Sequence, residues 1–353
     1  MSGFDRTRYF DNAATTPLDP RVKEAMEPWM DEGFGNANSI HAWGRLARQA
    51  VEKAREQVAE LLGAADPSQV LFTSGATESN NWVLCGAVLD CAKVSPFEHV
   101  SVRDTVEAWC KDPYLGHEGW TVTPRKTKLA SVMAVCNETG AVLAHPMCGG
   151  KNHSDATQAL GKVPWQVGEL DFASFSSHKL YGPKGVGGLY LRDPDSIKPF
   201  LRGGGQEIGL RGGTLNVAGI VGFGAAAALA QEQMAEDRAH AQVLRQAVLD
   251  ENPDAKCNDA PDQSPFVLSL TFPGLTGESL VVEADANGFA ISSGPACSSG
   301  KTKPSPVLMA AGLTEDEARA TVRISFGRTN TLDAARQLGE TLRLSAQSLA
   351  LLG

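Results

Sequence analysis

The chain reads as an α/β protein: a large domain on a mainly parallel central sheet, followed by a smaller α+β domain. Three observations carry that reading. Short apolar runs at residues 70–73, 130–135, 172–176 and 186–191 have the length of buried strands, and helical patterns stand between some of them. The first run passes directly into Ser74-Gly75-Ala76-Thr77-Glu78, which reads as strand, tight turn and helix start. The length of 353 residues, 42% apolar and 21% charged, suits a globular chain with room for two domains.

In chain order, the first clear helix spans about 40–62. Asn38 or Ser39 caps it, Leu46, Ala50, Val51, Ala54, Val58 and Leu62 recur along one face, and Gly63 stops it. After the four apolar runs comes an Ala-rich helix from 218 to about 248, broken once, whose composition turns from Gly/Ala to charged near Gln231. A strand at 266–272, a helix at 278–287, a strand at 289–292 and a last helix at 332–351, capped by Thr331, complete the chain. The expected division is therefore a large domain over 14–230. A small domain over 1–13 plus 231–353 carries the polar loop around Cys297.

Composition removes several classes of function. A net charge of −9 leaves no general basic surface for nucleic acid or an anionic membrane. The seven cysteines (85, 91, 110, 136, 148, 257 and 297) are scattered, odd in number and lack a CxxC pair, unlike a disulfide framework or a zinc ribbon. No metal site is expected, and a reducing, cytoplasmic compartment is. Residues 1–10 lack the apolar core of a signal peptide, and the longest uncharged apolar stretch, 217–230, falls short of the roughly 20 residues of a membrane span.

Three local features could carry chemistry. Lys179 stands in Ser177-His178-Lys179, directly after a strand and before Tyr181-Gly182-Pro183, where open α/β sheets bind ligands. An amine there is either a surface lysine in a turn or, once deprotonated, a former of Schiff bases. Asp155 lies in His153-Ser154-Asp155-Ala156-Thr157-Gln158, about one βα unit earlier. Alone it reads equally as a helix N-cap. With Lys179 it matches what pyridoxal phosphate requires: an acid on the pyridine nitrogen and a lysine on the aldehyde. Ser74-Gly75-Ala76-Thr77 offers backbone N–H groups at a helix start, a site for the phosphate or simply a capped helix.

These segments, together with Tyr9-Phe10-Asp11-Asn12-Ala13-Ala14-Thr15-Thr16-Pro17, the continuation Glu78-Ser79-Asn80-Asn81, and Arg211-Gly212-Gly213-Thr214-Leu215-Asn216-Val217, resemble the cysteine desulfurases of the NifS/IscS type. That family consists of fold-type-I pyridoxal-phosphate enzymes of the class V aminotransferase group, and the resemblance covers almost the whole chain. It implies that Lys179 carries the cofactor, Asp155 faces its pyridine nitrogen and Gln158 donates to its phenolic oxygen. Ala76, Thr77, Ser176, Ser177 and His178 would surround the phosphate, and Thr214 would reach it from the second subunit of a homodimer. His99 matches the histidine that stacks on the ring and helps move protons. Asn137 matches the asparagine near the cofactor and the substrate carboxylate, and Arg323 the arginine that clamps that carboxylate, with Arg328 as the alternative.

Cys297 separates the possible reactions. Ser292-Ser293-Gly294-Pro295-Ala296-Cys297-Ser298-Ser299-Gly300 is a polar, Gly-rich loop, the setting for a thiol that must reach a cofactor and leave carrying sulfur. The resemblance implies an L-cysteine desulfurase in which Cys297, as thiolate, takes sulfur from cysteine, keeps it as a persulfide and leaves alanine. A sulfur acceptor or scaffold protein would then receive it for iron–sulfur cluster assembly or thiolation. The alternatives are a selenocysteine lyase, a class V aminotransferase in which Cys297 is dispensable, and a non-catalytic scaffold homologue. Against the family pattern, Cys136 stands where a second Asn is usual and Pro295 where a Ser is. The stretches 102–130 and 140–153 are shorter than usual, and the chain lacks the longer tail of many relatives.

Overall fold

The computed structural model describes residues 4–87, 92–293 and 304–352. Helices α1 (Pro20–Met30) and α2 (Ala42–Leu62) lead into β1 (Val70–Thr73), α3 (Ala76–Ala87), β2 (Ala92–Val94) and α4 (Val100–Glu107). A small hairpin of β3 (Gly116–Glu118) and β4 (Thr121–Thr123) precedes β5 (Leu129–Ser131), β6 (Lys151–Asp155), β7 (Phe172–Ser176) and β8 (Gly187–Leu191). Then come α5 (Val217–Glu251), β9 (Lys256–Cys257), β10 (Val267–Thr271), α6 (Gly277–Ala286), α7 (Pro306–Ala310), α8 (Glu315–Arg319), β11 (Thr321–Ser325) and α9 (Leu332–Leu352).

The central sheet has the order β1-β8-β7-β6-β5-β2. β2, β5, β6 and β7 run parallel, whereas β8 is antiparallel to both β7 and β1. Two reversals restore direction, so β1 points the same way as β7. The carboxyl ends of five strands therefore lie along one edge, where open α/β sheets place their ligand sites. β7 and β8 are buried along their whole length, which explains why they read as continuous rather than alternating apolar runs. A second, antiparallel sheet of order β11-β10-β9 sits over its own apolar core.

α5 serves both cores. Ile220, Phe223, Ala226, Ala227 and Ala230 pack into the core beneath α2 and the central sheet, and Ala241, Leu244 and Val248 into the core of the second sheet. Its Gly/Ala-rich half lets α2 approach closely: a Cβ on Gly224 would stand 2.6 Å from the Ala54 Cα. The expected break near Gln231 is absent, and α5 is a single helix of 35 residues. The change in composition marks the passage from one core to the other.

Three further expectations are corrected. α2 is capped by His41, whose Nδ1 accepts from the Gly44 N–H at 3.2 Å, because residues 36–39 close a turn of their own in which the Ser39 N–H donates to the Asn36 carbonyl. The strand expected over 130–135 ends at Ser131, although the Val132 and Ala134 N–H groups still donate to His153 and Asp155 on the β6 side. The strand expected over 289–292 is only a pair of single bridges, Tyr9 to Ala290 and Ser292 to Arg323, since its neighbours on the two sides change within two residues.

Candidate active site

Asp155, Lys179 and the β1–α3 turn follow from the common strand edge. Asp155 ends β6, and Lys179 closes a 3-10 turn at Ser177–Lys179 immediately after β7, which is paired in parallel with β6. The turn between β1 and α3 reaches the same edge two strands away, and Gly187 on β8 is paired with both Thr73 and Ser176. A Cβ on Gly187 would lie 2.6 Å from the Gly75 Cα and against the Phe175 carbonyl, so only glycine lets this turn close on the sheet. Ser176 Oγ completes the closure by accepting from the Ala76 N–H at 2.8 Å. Beyond Ala76, whose N–H goes to Ser176, the first-turn N–H groups of α3 have no intrahelical acceptors and are a candidate anion site at the edge. Thr77 stands exposed in that turn.

Lys179 Nζ donates to the carbonyls of Ala13 and Ala14, both at 2.6 Å. Burial and the nearby Arg323 guanidinium bring its pKa down to about 8, against the opposing pull of Asp155 and Asp11. The buried Asp155 carboxylate accepts from the Thr157 N–H at 2.9 Å on Oδ1 and from Asn80 Nδ2 at 2.8 Å on Oδ2. Gln158, also buried, donates from Nε2 to the Ala13 carbonyl at 2.8 Å. Ser177 is buried, and its hydroxyl has no partner among the described residues. The ring of His178 meets Thr15 Oγ1 at 3.1 Å, and burial followed by Lys179 lowers its pKa to about 4, which leaves it neutral at pH 7.

His99 caps α4, with Nδ1 accepting from the Ser101 N–H at 3.1 Å and lying 2.8 Å from Ser101 Oγ. An accepting Nδ1 places the proton of the neutral ring on Nε2. Burial lowers the His99 pKa and favours that neutral form. Arg323, on β11, brings the second sheet to the site: it donates to the Asn137 carbonyl at 3.0 Å and to Asp11 Oδ1 at 2.9 Å. Its Nε and the Asn137 Oδ1 are buried and have no partner among the described residues. Arg328 turns elsewhere, to Asp237 and Asp19, which disfavours it as the carboxylate clamp. Thr214 is exposed and lines a separate cavity of about 170 Å³ with Thr73, Ser74 and Arg211. Cys297 and Pro295 lie outside the described residues.

The set fits pyridoxal phosphate: a lysine amine with a lowered pKa, a buried carboxylate, an anion-binding helix start, and buried polar atoms on Asn137, Ser177 and Arg323 left to be satisfied. The aminotransferase class-V family matches this chain over residues 8–112 and 117–338. The chain belongs to the aminotransferase class-V family. Members of this kind work with pyridoxal 5′-phosphate, and cysteine desulfurases are among them. The chain is 40% identical to the cysteine desulfurase IscS of Rickettsia akari, over 92% of this chain and 87% of that one. Among solved structures, a NifS-like protein superposes with a TM-score of 0.84 at 33% identity, covering 97% of this chain and 99% of the other. SspA in complex with cysteine superposes with a TM-score of 0.76 at 32% identity, covering 92% and all of that chain.

Within this class V fold, sequence reasoning missed three contributors. Asn80 Nδ2 donates both to Asp155 and to Ser101 Oγ at 2.9 Å, and so ties the acid to the residue that holds His99. Ser101 is the second; both stand in motifs that point to their neighbours, but their meeting depends on the packing of α3 against α4. Lys162 is the third, a buried lysine that donates to Gln158. No helix among the described residues is long and apolar enough to cross a membrane.

Proposed function

We propose that this chain is an L-cysteine desulfurase that leaves alanine and holds the released sulfur as a persulfide on Cys297. The observation that carries it is Lys179, an amine with a lowered pKa at the same sheet edge as a buried Asp155, in a chain of this family. Lys179, Asp155, Gln158 and the β1–α3 turn would hold pyridoxal 5′-phosphate, which when bound supplies an electron sink for bond breaking at the substrate Cα.

The protein's own residues do the rest. Arg323 offers a planar fork of donors to the substrate carboxylate, exchanging its hold on Asp11 for it, with Asn137 alongside. Lys179 Nζ, neutral above about pH 8, accepts the Cα proton, and His99 carries a proton on Nε2 within the same pocket. Cys297 attacks the substrate sulfur as thiolate. SspA, one of the similar structures, was solved with cysteine. The reading extends to a homodimer in which Thr214 serves the other subunit's phosphate, to a sulfur acceptor or scaffold as partner in iron–sulfur cluster assembly or thiolation, and to the cytoplasm.

The test is Cys297→Ala supplied with cysteine. The variant should keep its cofactor absorbance and lose alanine and sulfide production. Wild-type turnover without added reductant would remove the nucleophile assignment, and transamination dependent on a 2-oxo acid would make the chain an aminotransferase.

A further inference from the structure

Lys162 is a lysine where the packing favours an apolar residue. It is 6% exposed, and no acidic group among the described residues bears on its charge. Its amine has one hydrogen-bond partner, Gln158 Oε1 at 2.9 Å. The charged groups that bear on it, Lys179 and Arg323, are both cations and add repulsion to the cost of burial; its pKa falls to about 7. Burying such a group without an acid is expensive, and an apolar side chain of equal length would avoid the expense. A requirement other than stability therefore bears on this position.

That requirement is visible in what Gln158 does with its other end. Its Nε2 donates to the Ala13 carbonyl at 2.8 Å, the same oxygen that accepts from Lys179 Nζ at 2.6 Å. The Gln158 amide and the Lys179 amine thus converge on one atom. A primary amide can turn over and exchange its NH2 for its oxygen, which would set two acceptors against each other at Ala13. Lys162 donates to Oε1 here, and in its charged form it cannot accept at all, so it holds oxygen on its side and NH2 on the other. The NH2 has two hydrogens, and Ala13 takes one.

We propose that Lys162 is a positioning residue that fixes the sense of the Gln158 amide, so that its second N–H is presented to the phenolic oxygen of bound pyridoxal 5′-phosphate. The inference rests on the cofactor reading above. The consequence is spectroscopic: a donor on an anionic oxygen lowers the proton affinity of the chromophore, and losing the donor raises it.

The experiment titrates the visible absorbance of the holoenzyme against pH for wild type, Lys162→Met, Gln158→Leu and the double variant. Lys162→Met should raise the pH midpoint by about half to one unit, the worth of one hydrogen bond. Gln158→Leu should raise it in the same direction, and adding Lys162→Met to Gln158→Leu should move it no further. A wild-type midpoint in Lys162→Met overturns the proposal. So does a Lys162→Met shift that persists in full beside Gln158→Leu, because the lysine then acts by its charge and not through the amide. Should Lys162→Met fail to fold, Lys162→Arg carries the test: an obligate donor at the same place should keep the wild-type midpoint, and a midpoint raised as far as in Gln158→Leu overturns the proposal. A wild-type protein with no visible band that borohydride can bleach would instead defeat the cofactor reading itself.

Discussion

The Lys179 amine is tuned by where it stands: burial and Arg323 disfavour its proton, and with a pKa of about 8 roughly a tenth of the molecules hold it as free amine at pH 7. Cofactor capture by the apoprotein should therefore speed up about tenfold per pH unit below pH 8 and level off above it. Stopped-flow absorbance on adding pyridoxal phosphate measures this, and a rate still climbing towards the ordinary lysine value would contradict it. Lys162 makes a prediction of the opposite kind. Its pKa of about 7 lies below the ordinary 10.5, so between these values the unfolded chain holds more protons and wild-type stability rises with pH. Apo Lys162→Met should be more stable than wild type below pH 7, on the order of a few kcal/mol, with the advantage fading by pH 10.5. Urea unfolding at pH 6.5 and 9.5 reads the difference. Lys179 and Asp155 could be nominated from the sequence because each lies in a distinctive local motif. Lys162 was not, because a lysine is remarkable only once its burial is known.

Between single residues and the full chain stands the junction of β1, β8 and β7 with the start of α3. Ser176 ties to Ala76 across 100 residues of sequence, and Gly187 lies between them with no space for a side chain. The atoms that a Gly187→Ala methyl would meet are backbone on both sides, so neither can turn away. That variant should lose about 1–3 kcal/mol of stability and release its cofactor on dialysis faster than wild type. A wild-type urea midpoint would show that the turn has more slack than this geometry allows. The strands themselves were legible as apolar runs, and β7 appears over the expected residues. At α5 the sequence misled because of long-range packing: the helix continues through its change of composition because each half has a core to enter.

For the assembled chain, the proposed homodimer draws support from an exposed apolar group near the start of α2. Phe34, Ile40 and Trp43 are 75%, 87% and 59% exposed, and the rings of Phe34 and Trp43 stack with centroids 6.3 Å apart. A stacked pair of exposed aromatic rings is a candidate partner surface. Sedimentation at micromolar concentration should give a species of about 75 kDa, twice the 37.3 kDa chain, and Trp43→Asp should shift it towards one copy. A wild-type protein sedimenting as one copy would remove the dimer and the cross-subunit role of Thr214 with it. The proposed division near residue 230 fits the two cores, with Phe10 from the amino-terminal segment packed into the second.

The amino-acid order was enough to establish the α/β class and the family and to nominate the residues of the proposed site, because those signals are local: a strand running into a glycine turn, an acid at a strand end, a lysine before Gly-Pro. What needed the folded chain was every relation between residues distant in sequence. Asn80 meets Asp155 across 75 positions, and Arg323 meets Asp11 across 312. The protonation states of Lys179, His178 and Lys162 followed from the same source, since they depend on water excluded and charges assembled by elements far apart in the chain.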